Sequence, residues 1–182
     1  MSRPEQATLT KPNDRAKTDE TRRVIEAMVD GLNDHRIDDI GEFFHPDFRW
    51  MGTAGCGTKL GLKEFQEGWQ RPFLECFSDK VCIDEARLYD GEWAAAFGRQ
   101  EARLSAPFMG VEPTDPPQRV VIRYMDFWKV VDGLITENVV HVDMADVLRQ
   151  LGRDPFAGEG WERFTDPKTA FLRPDQLPWN DR

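Results

Sequence analysis

Residues 119 to 142 read RVVIRYMDFWKVVDGLITENVVHV. Two runs rich in Val, Ile, Tyr, Phe and Trp flank Asp132-Gly133, a dipeptide that tolerates the positive φ angles of a two-residue hairpin. A tight hairpin forces antiparallel pairing, because a parallel return needs a crossover of about a dozen residues or more. The same grammar precedes it: a strand-like run at 81–89, then Asp90-Gly91, then a return run at 92–104. The second half of the chain is therefore expected to be an antiparallel meander. A loop containing four prolines, residues 105–118, separates its two hairpins.

The first half has a different period. Ile25, Met28, Val29 and Leu32 follow the i, i+3, i+4, i+7 stripe of a helix, which Thr18 or Asp19 can cap and which runs to about residue 33. A second short helix over 37–44 buries Ile40, Phe43 and Phe44 and must stop before Pro46. Residues 48–51 read as a short strand. The stretch GTAGCGTKLG that follows reads as a loop, and it lacks the Gly-Lys-Ser/Thr of a phosphate loop. Residues 62–73 look helical, with Pro72 near the end, and 144–151 form a last short helix stopped at Gly152. Helices followed by a meander predict an α+β fold, a curved antiparallel sheet wrapped around N-terminal helices to leave a cone-shaped pocket. The expected organisation is a flexible arm over 1–17, a cone domain over 18–152, and an irregular tail over 153–182 that packs on the body or on a partner subunit.

Composition removes several classes. A formal charge of −9 and no basic run argue against nucleic acid, whose phosphates need clustered Lys and Arg. No stretch approaches the roughly eighteen apolar residues of a membrane span. The first residues have no apolar export region, and Cys56, Cys76 and Cys82 are an odd set without metal spacing, so buried thiols in the cytoplasm are expected. No dinucleotide fingerprint or HExxH motif is present, and no metal or cofactor is expected. His45, His141 and Asp143 could in principle form a facial triad.

The chemistry-bearing residues concentrate near the end of the meander. In a strand, Glu137, Val139, His141 and Asp143 share one face. If that face is concave, a carboxylate and an imidazole hang into an apolar pocket, and lost hydration raises the carboxylate toward neutrality. Such a group suits proton abstraction next to a carbonyl, with an imidazolium or acid stabilising the enolate. Asp143 can equally cap the helix that starts at Met144, and both roles can hold together. His45 fits either a turn or the pocket mouth. Arg123 and Asp126 occupy opposite strand faces; the inward one needs a partner, for example Glu137 or Arg99. Trp50, Trp69, Phe73, Phe127 and Trp128 are core candidates, some of them able to form a flat wall for a ligand.

Several motifs together resemble a known family. GLNDHRIDDIGEFFHPDFRW at 31–50, GTKLGLKEF at 57–65, YMDFWKVVDGLITE at 124–137 and VDMADVLRQLG at 142–152 stand in the order and spacing of the SnoaL-like polyketide cyclases (ester cyclases), within the nuclear transport factor 2-like superfamily. The resemblance spans about residues 20–152. It implies ring closure on a hydrophobic polyketide-like small molecule by intramolecular aldol chemistry, without metal or cofactor, in a homodimer formed through the open sheet face. It also implies an acid/base aspartate near the end of the last strand, matching Asp143. Val139 stands where the family often has Trp. Two classes stay open: an acid/base enzyme, with Asp143, His141 and His45 catalytic and Trp50, Trp69, Phe73, Arg123, Asp126, Phe127, Glu137 and Val139 around the substrate, or a non-catalytic ligand binder or dimeric scaffold.

Overall fold

The structure, a computed structural model, describes residues 14–36 and 38–161. Helix α1 (Arg15–Asn33) begins four or five residues earlier than the sequence suggests, because Asp14 is the cap: its carboxylate accepts from the Lys17 amide at 3.1 Å. Residues 1–13 of the expected arm, and 162–182 of the expected tail, lie outside the described residues. The expected second helix is a single 3₁₀ turn, Asp39–Phe43, leading straight into strand β1 (Phe44–Met51).

Six strands form one curved, unclosed sheet: β1, β2 (Thr58–Leu60), β3 (Phe77–Asp90), β4 (Trp93–Leu104), β5 (Arg119–Val131) and β6 (Leu134–Val142). Their spatial order is β2-β1-β6-β5-β4-β3. The meander runs antiparallel as expected, whereas β1 lies parallel to β6, with Met51 beside Val139. β2 arises inside the glycine-rich stretch that reads as a loop, where three residues pair with Arg49, Trp50 and Met51. At the second hairpin both Asp132 (φ 50) and Gly133 (φ 77) take positive φ as predicted. At the first, Asp90 still pairs with Trp93 and the turn residues are Gly91 and Glu92, with Gly91 at φ 56.

The helix over 62–76 continues through Pro72. It consists of α2 (Leu62–Phe65), a π-helical turn (Gln66–Gln70) and α3 (Arg71–Cys76). The Arg71 amide donates to the Gln66 carbonyl, five residues back. A wider turn suits this place, since Pro72 lacks an N–H and its ring would crowd the carbonyl four residues before it. The inserted turn directs Trp69 and Gln70 toward the sheet. Helix α4 (Met144–Gln150) closes the chain's last turn against the core through Met144 and Val147.

The core sits between α1 and the concave face of the sheet. Ile25, Met28 and Val29 meet Val120, Ile122, Trp128, Val130, Ile135 and Val140 there. One border is a continuous train of rings. Trp50 stacks on Trp69 (centroids 4.9 Å apart) and Trp69 on Phe73 (4.7 Å), continuing through Phe77 to Phe108.

Candidate active site

Alternation along each strand decides which side chains reach the interior. On β5 the even residues Val120, Ile122, Tyr124 and Trp128 are buried, and Asp126 shares their face; on β4 the inward set includes Ala94, Ala96, Gly98, Gln100 and Ala102. On β6 the inward residues are Asn138, Val140 and Val142. These, with Met28, Leu32, Phe65, Gln70 and Lys80, line a cavity of ≈ 110 Å³ walled on one side by Trp50, Trp69 and Phe73.

The β6 parity is the reverse of the expected one. Glu137, Val139 and His141 face the convex side, where Val139 is 39 % exposed, and none of them lines the cavity. Glu137 pairs with Arg49 at 2.6 Å and approaches Lys129 at 3.9 Å. His141 lies 3.5 Å from the Thr53 hydroxyl. Asp143 follows the strand as the N-cap of α4: one oxygen accepts from the Asp146 amide at 2.9 Å, the other from Arg123 at 2.6 Å. Arg123 is thus tied to α4 rather than to the cavity, and Phe127, 50 % exposed, projects outward beside Met125. The His45 ring accepts from the Asp47 amide at 3.1 Å, a local turn contact away from the cavity. His45, His141 and Asp143 do not meet, and among the described residues no cluster of metal-ligating side chains forms.

Of the candidate site and wall residues singled out in the sequence, Trp50, Trp69, Phe73, Asp126 and Trp128 do line the cavity. Asp126 is the carboxylate placed there, partly exposed onto the space it lines. It accepts one hydrogen bond, from the Asn138 carboxamide at 2.8 Å. Burial pushes its acid up from 3.8 to about 7, against the pull of that hydrogen bond and with help from the nearby Asp84 charge. Asp84 accepts from the Tyr124 hydroxyl and from Arg87 behind the cavity. Burial and the Asp84 contact hold the Tyr124 phenol far above its usual range, so it stays a donor.

Four polar cavity residues escaped the sequence reading: Gln70, Lys80, Gln100 and Asn138. Gln70 is delivered by the π turn. Lys80 lies inside the first of two irregularities of β3, at Ser78/Val81 and Asp84/Ala86, which break the alternation that would have revealed it. The second bulge depends on Gly98, where an added Cβ would stand 2.2 Å from the Ile83 carbonyl oxygen. Asn33, at the end of α1, holds the segment between them. Its side chain donates to the Cys82 carbonyl at 3.1 Å and accepts from the Cys82 amide at 2.9 Å. Cys56, Cys76 and Cys82 are all unpaired; burial raises the Cys82 thiol despite the neighbouring Lys80 ammonium, and pushes Cys56 to about 11. Nothing here favours a thiolate nucleophile.

A buried carboxylate poised near neutrality, in an apolar cavity with a flat aromatic wall, is equipped to take and return a proton on carbon. The comparisons agree in kind. The sequence profile of the SnoaL-like domain matches residues 25–138. The chain is 34 % identical over 142 residues to nogalonic acid methyl ester cyclase of Streptomyces nogalater, covering 74 % of this chain and 98 % of that one. Among solved structures, a protein of Jannaschia sp. CCS1 assigned to the SnoaL-like polyketide cyclases superposes with a TM-score of 0.67 at 18 % identity, over 80 % of this chain and 100 % of that one. TerC, co-crystallised with polyporic acid, superposes with a TM-score of 0.59 at 19 % identity, over 73 % of this chain and 98 % of that one. These two show the shared fold.

Proposed function

The chain belongs to the SnoaL-like domain family, and on that premise we propose that it is a cyclase-type acid/base enzyme acting on a polycyclic or polyketide-like carbonyl compound, with Asp126 as the acid/base. The observation that carries this reading is the Asp126 carboxyl itself, the acid of the cavity, held near neutrality by burial and bonded only through Asn138. As carboxylate it removes a proton from the carbon next to a carbonyl. The resulting enolate carbon attacks a second carbonyl of the same molecule, forming the ring C–C bond. The alkoxide so formed takes a proton, returned by the protonated Asp126 directly or through a water, and the carboxylate is restored. Trp50, Trp69 and Phe73 hold the flat substrate and exclude water, which keeps the carboxylate basic.

The residue the family resemblance points to, Asp143, has both oxygens committed to the α4 cap and to Arg123. Acid/base work therefore falls to Asp126 and a structural role to Asp143. The test is turnover of an aromatic polyketide methyl ester, starting with nogalonic acid methyl ester because the relative's name specifies it. Asp126→Asn should abolish ring closure while the circular dichroism spectrum and melting cooperativity persist. Unchanged turnover in that variant, or loss in Asp143→Asn with a native fold, overturns the assignment.

A second copy of the chain is proposed to cover the convex face. Leu88, Phe97, Met125, Phe127 and Val139 form an apolar surface there, exposed by 39 % to 72 %, beside a shallow hollow of ≈ 430 Å³. A homodimer covers such a surface symmetrically.

A further inference from the structure

The cavity holds a second polar group that the acid/base step leaves unused. Lys80 is only 6 % exposed and its side chain lines the cavity. Its ammonium donates to the Cys82 sulfur at 3.4 Å, a weak acceptor for a three-donor cation. Among the described residues no carboxylate lies within ion-pair distance of it. A charge withdrawn from water without a counter-charge is costly, and an anionic ligand would offset that cost. Two neutral groups point the same way. The carboxamide oxygens of Gln70 and Gln100 are buried without a hydrogen-bond partner, and Gln70 is itself only 6 % exposed.

Strand register gathers these groups at one end. Val81 pairs with Glu101 and Cys82 with Gln100, so Lys80 and Gln100 project from adjacent strands near the same level. Asp126 pairs with Ala96, four residues along β4 from Gln100. At about 3.3 Å per residue that is roughly 13 Å along the strand, which keeps the cation and the acid/base from neutralising each other.

We infer that Lys80 forms a second, cationic pole of the cavity that receives an anionic oxygen of the substrate, with Gln70 and Gln100 accepting from hydroxyl groups beside it. The inference rests on the cavity being the substrate site and adds a substrate class: a molecule carrying an ionised phenol, enol or carboxylate at the end remote from the proton being moved. The Lys80 pole sets orientation, so the acidic carbon meets Asp126 and the opposite end does not.

Small probes test this without turnover. 4-Nitrophenolate, benzoate and neutral 4-nitroanisole are titrated into wild type, Lys80→Met and Lys80→Gln, with 4-nitrophenol ionisation read by absorbance. Wild type should bind at least one anion more tightly than the anisole. Both variants should lose roughly ten- to a hundredfold in anion affinity, as expected for a charge-assisted contact, with anisole affinity unchanged. Preference for 4-nitrophenolate assigns the pole to a phenol or enol; preference for benzoate assigns it to a carboxylate. Equal binding of all three probes to wild type overturns the inference, as does anion binding indifferent to Lys80. Two variants guard against one failing to fold, and replacing a buried cation by Met favours folding if anything. Asp126→Asn in the same titration should retain anion affinity. A failure at Lys80 therefore leaves the Asp126 assignment standing, and a failure of that assignment leaves the titration readable.

Discussion

The two faces of this sheet carry the same kinds of side chain and use them in opposite ways. On the convex face, Arg99 bridges Glu85 at 2.8 Å and Glu101 at 3.1 Å, Arg119 joins Glu101, and Arg49 and Lys129 flank Glu137. Each of these carboxylates finds a cation, and the Arg119 and Arg99 contacts hold Glu101 below the usual carboxylate range. On the concave face Asp126 finds one amide and, among the described residues, no cation, and its acid rises to about 7. Medium and pairing, more than residue type, separate a solubilising carboxylate from one held near neutrality.

That contrast is sharpest in turnover. Asp126→Asn should cost about a thousandfold or more in the cyclisation rate, the scale of lost acid/base catalysis. Glu137→Gln, on the other face, should change it by less than about twofold, because a solvent-exposed ion pair contributes little. Comparable losses in both would erase the distinction between the faces.

Stability against pH gives the next largest effect. Asp126 is raised in the folded chain, so between about 3.8 and 7 the folded state binds a proton that the unfolded state has released. Its contribution is complete below the unfolded value and is lost as pH climbs through the folded one. A rise from 3.8 to about 7 sets its upper bound at roughly 4 kcal/mol. Glu101 has the opposite sign: its lowered acid contributes above its usual 4.5 and loses that contribution as pH falls below it. Denaturant melts from pH 4 to 8 should show a fall in stability that Asp126→Asn flattens.

The apolar part of the convex face makes a third comparison. Phe127→Asp places a charge at the centre of the proposed dimer surface. Light scattering should then report half the mass of the parent while the melting transition survives. A parent that is already monomeric removes the dimer. The smallest effect is at the strand's end: Asp143→Ala should cost about 1 kcal/mol for the lost cap, rising toward 2 with the Arg123 contact, and leave the rate per folded molecule near that of the parent.

Much of the fold was legible. Arg119–Val131 and Leu134–Val142 end where composition and the Asp132-Gly133 turn place them, since a β-rich run bounded by a dipeptide of fixed conformation leaves few alternatives. The parallel neighbour of β6 was not, because nothing local to HPDFRW says which distant strand it will join. The cavity was legible in its aromatic wall and in Asp126, and illegible in its orientation. In NVVHV, Val139 and Val140 are both apolar, so either face of β6 could be the inner one. Both sides of this sheet carry hydrophobic residues, one for the core and one on the open surface, and a pattern that is apolar on both sides carries no parity. Asn138 and Lys80 were hidden for the same reason and for the bulges of β3.

The bulge opposite Gly98 behaves like a shift of reading frame. Before it, even positions of β3 such as Asp84 look inward; after it, Arg87 pairs with inward Ala96 and Tyr89 with inward Ala94, so odd positions do. Glu85 and Ala86, adjacent in the chain, consequently fall on the same, convex side of the sheet. Straightening the bulge without removing a residue would exchange the roles of everything from there to the hairpin, turning Leu88 inward and Tyr89, with its contact to Glu26 of α1, out to the other side. The missing methyl group of one glycine thus keeps the address of five side chains of β3, residues 86 to 90, in register with the rest of the cone.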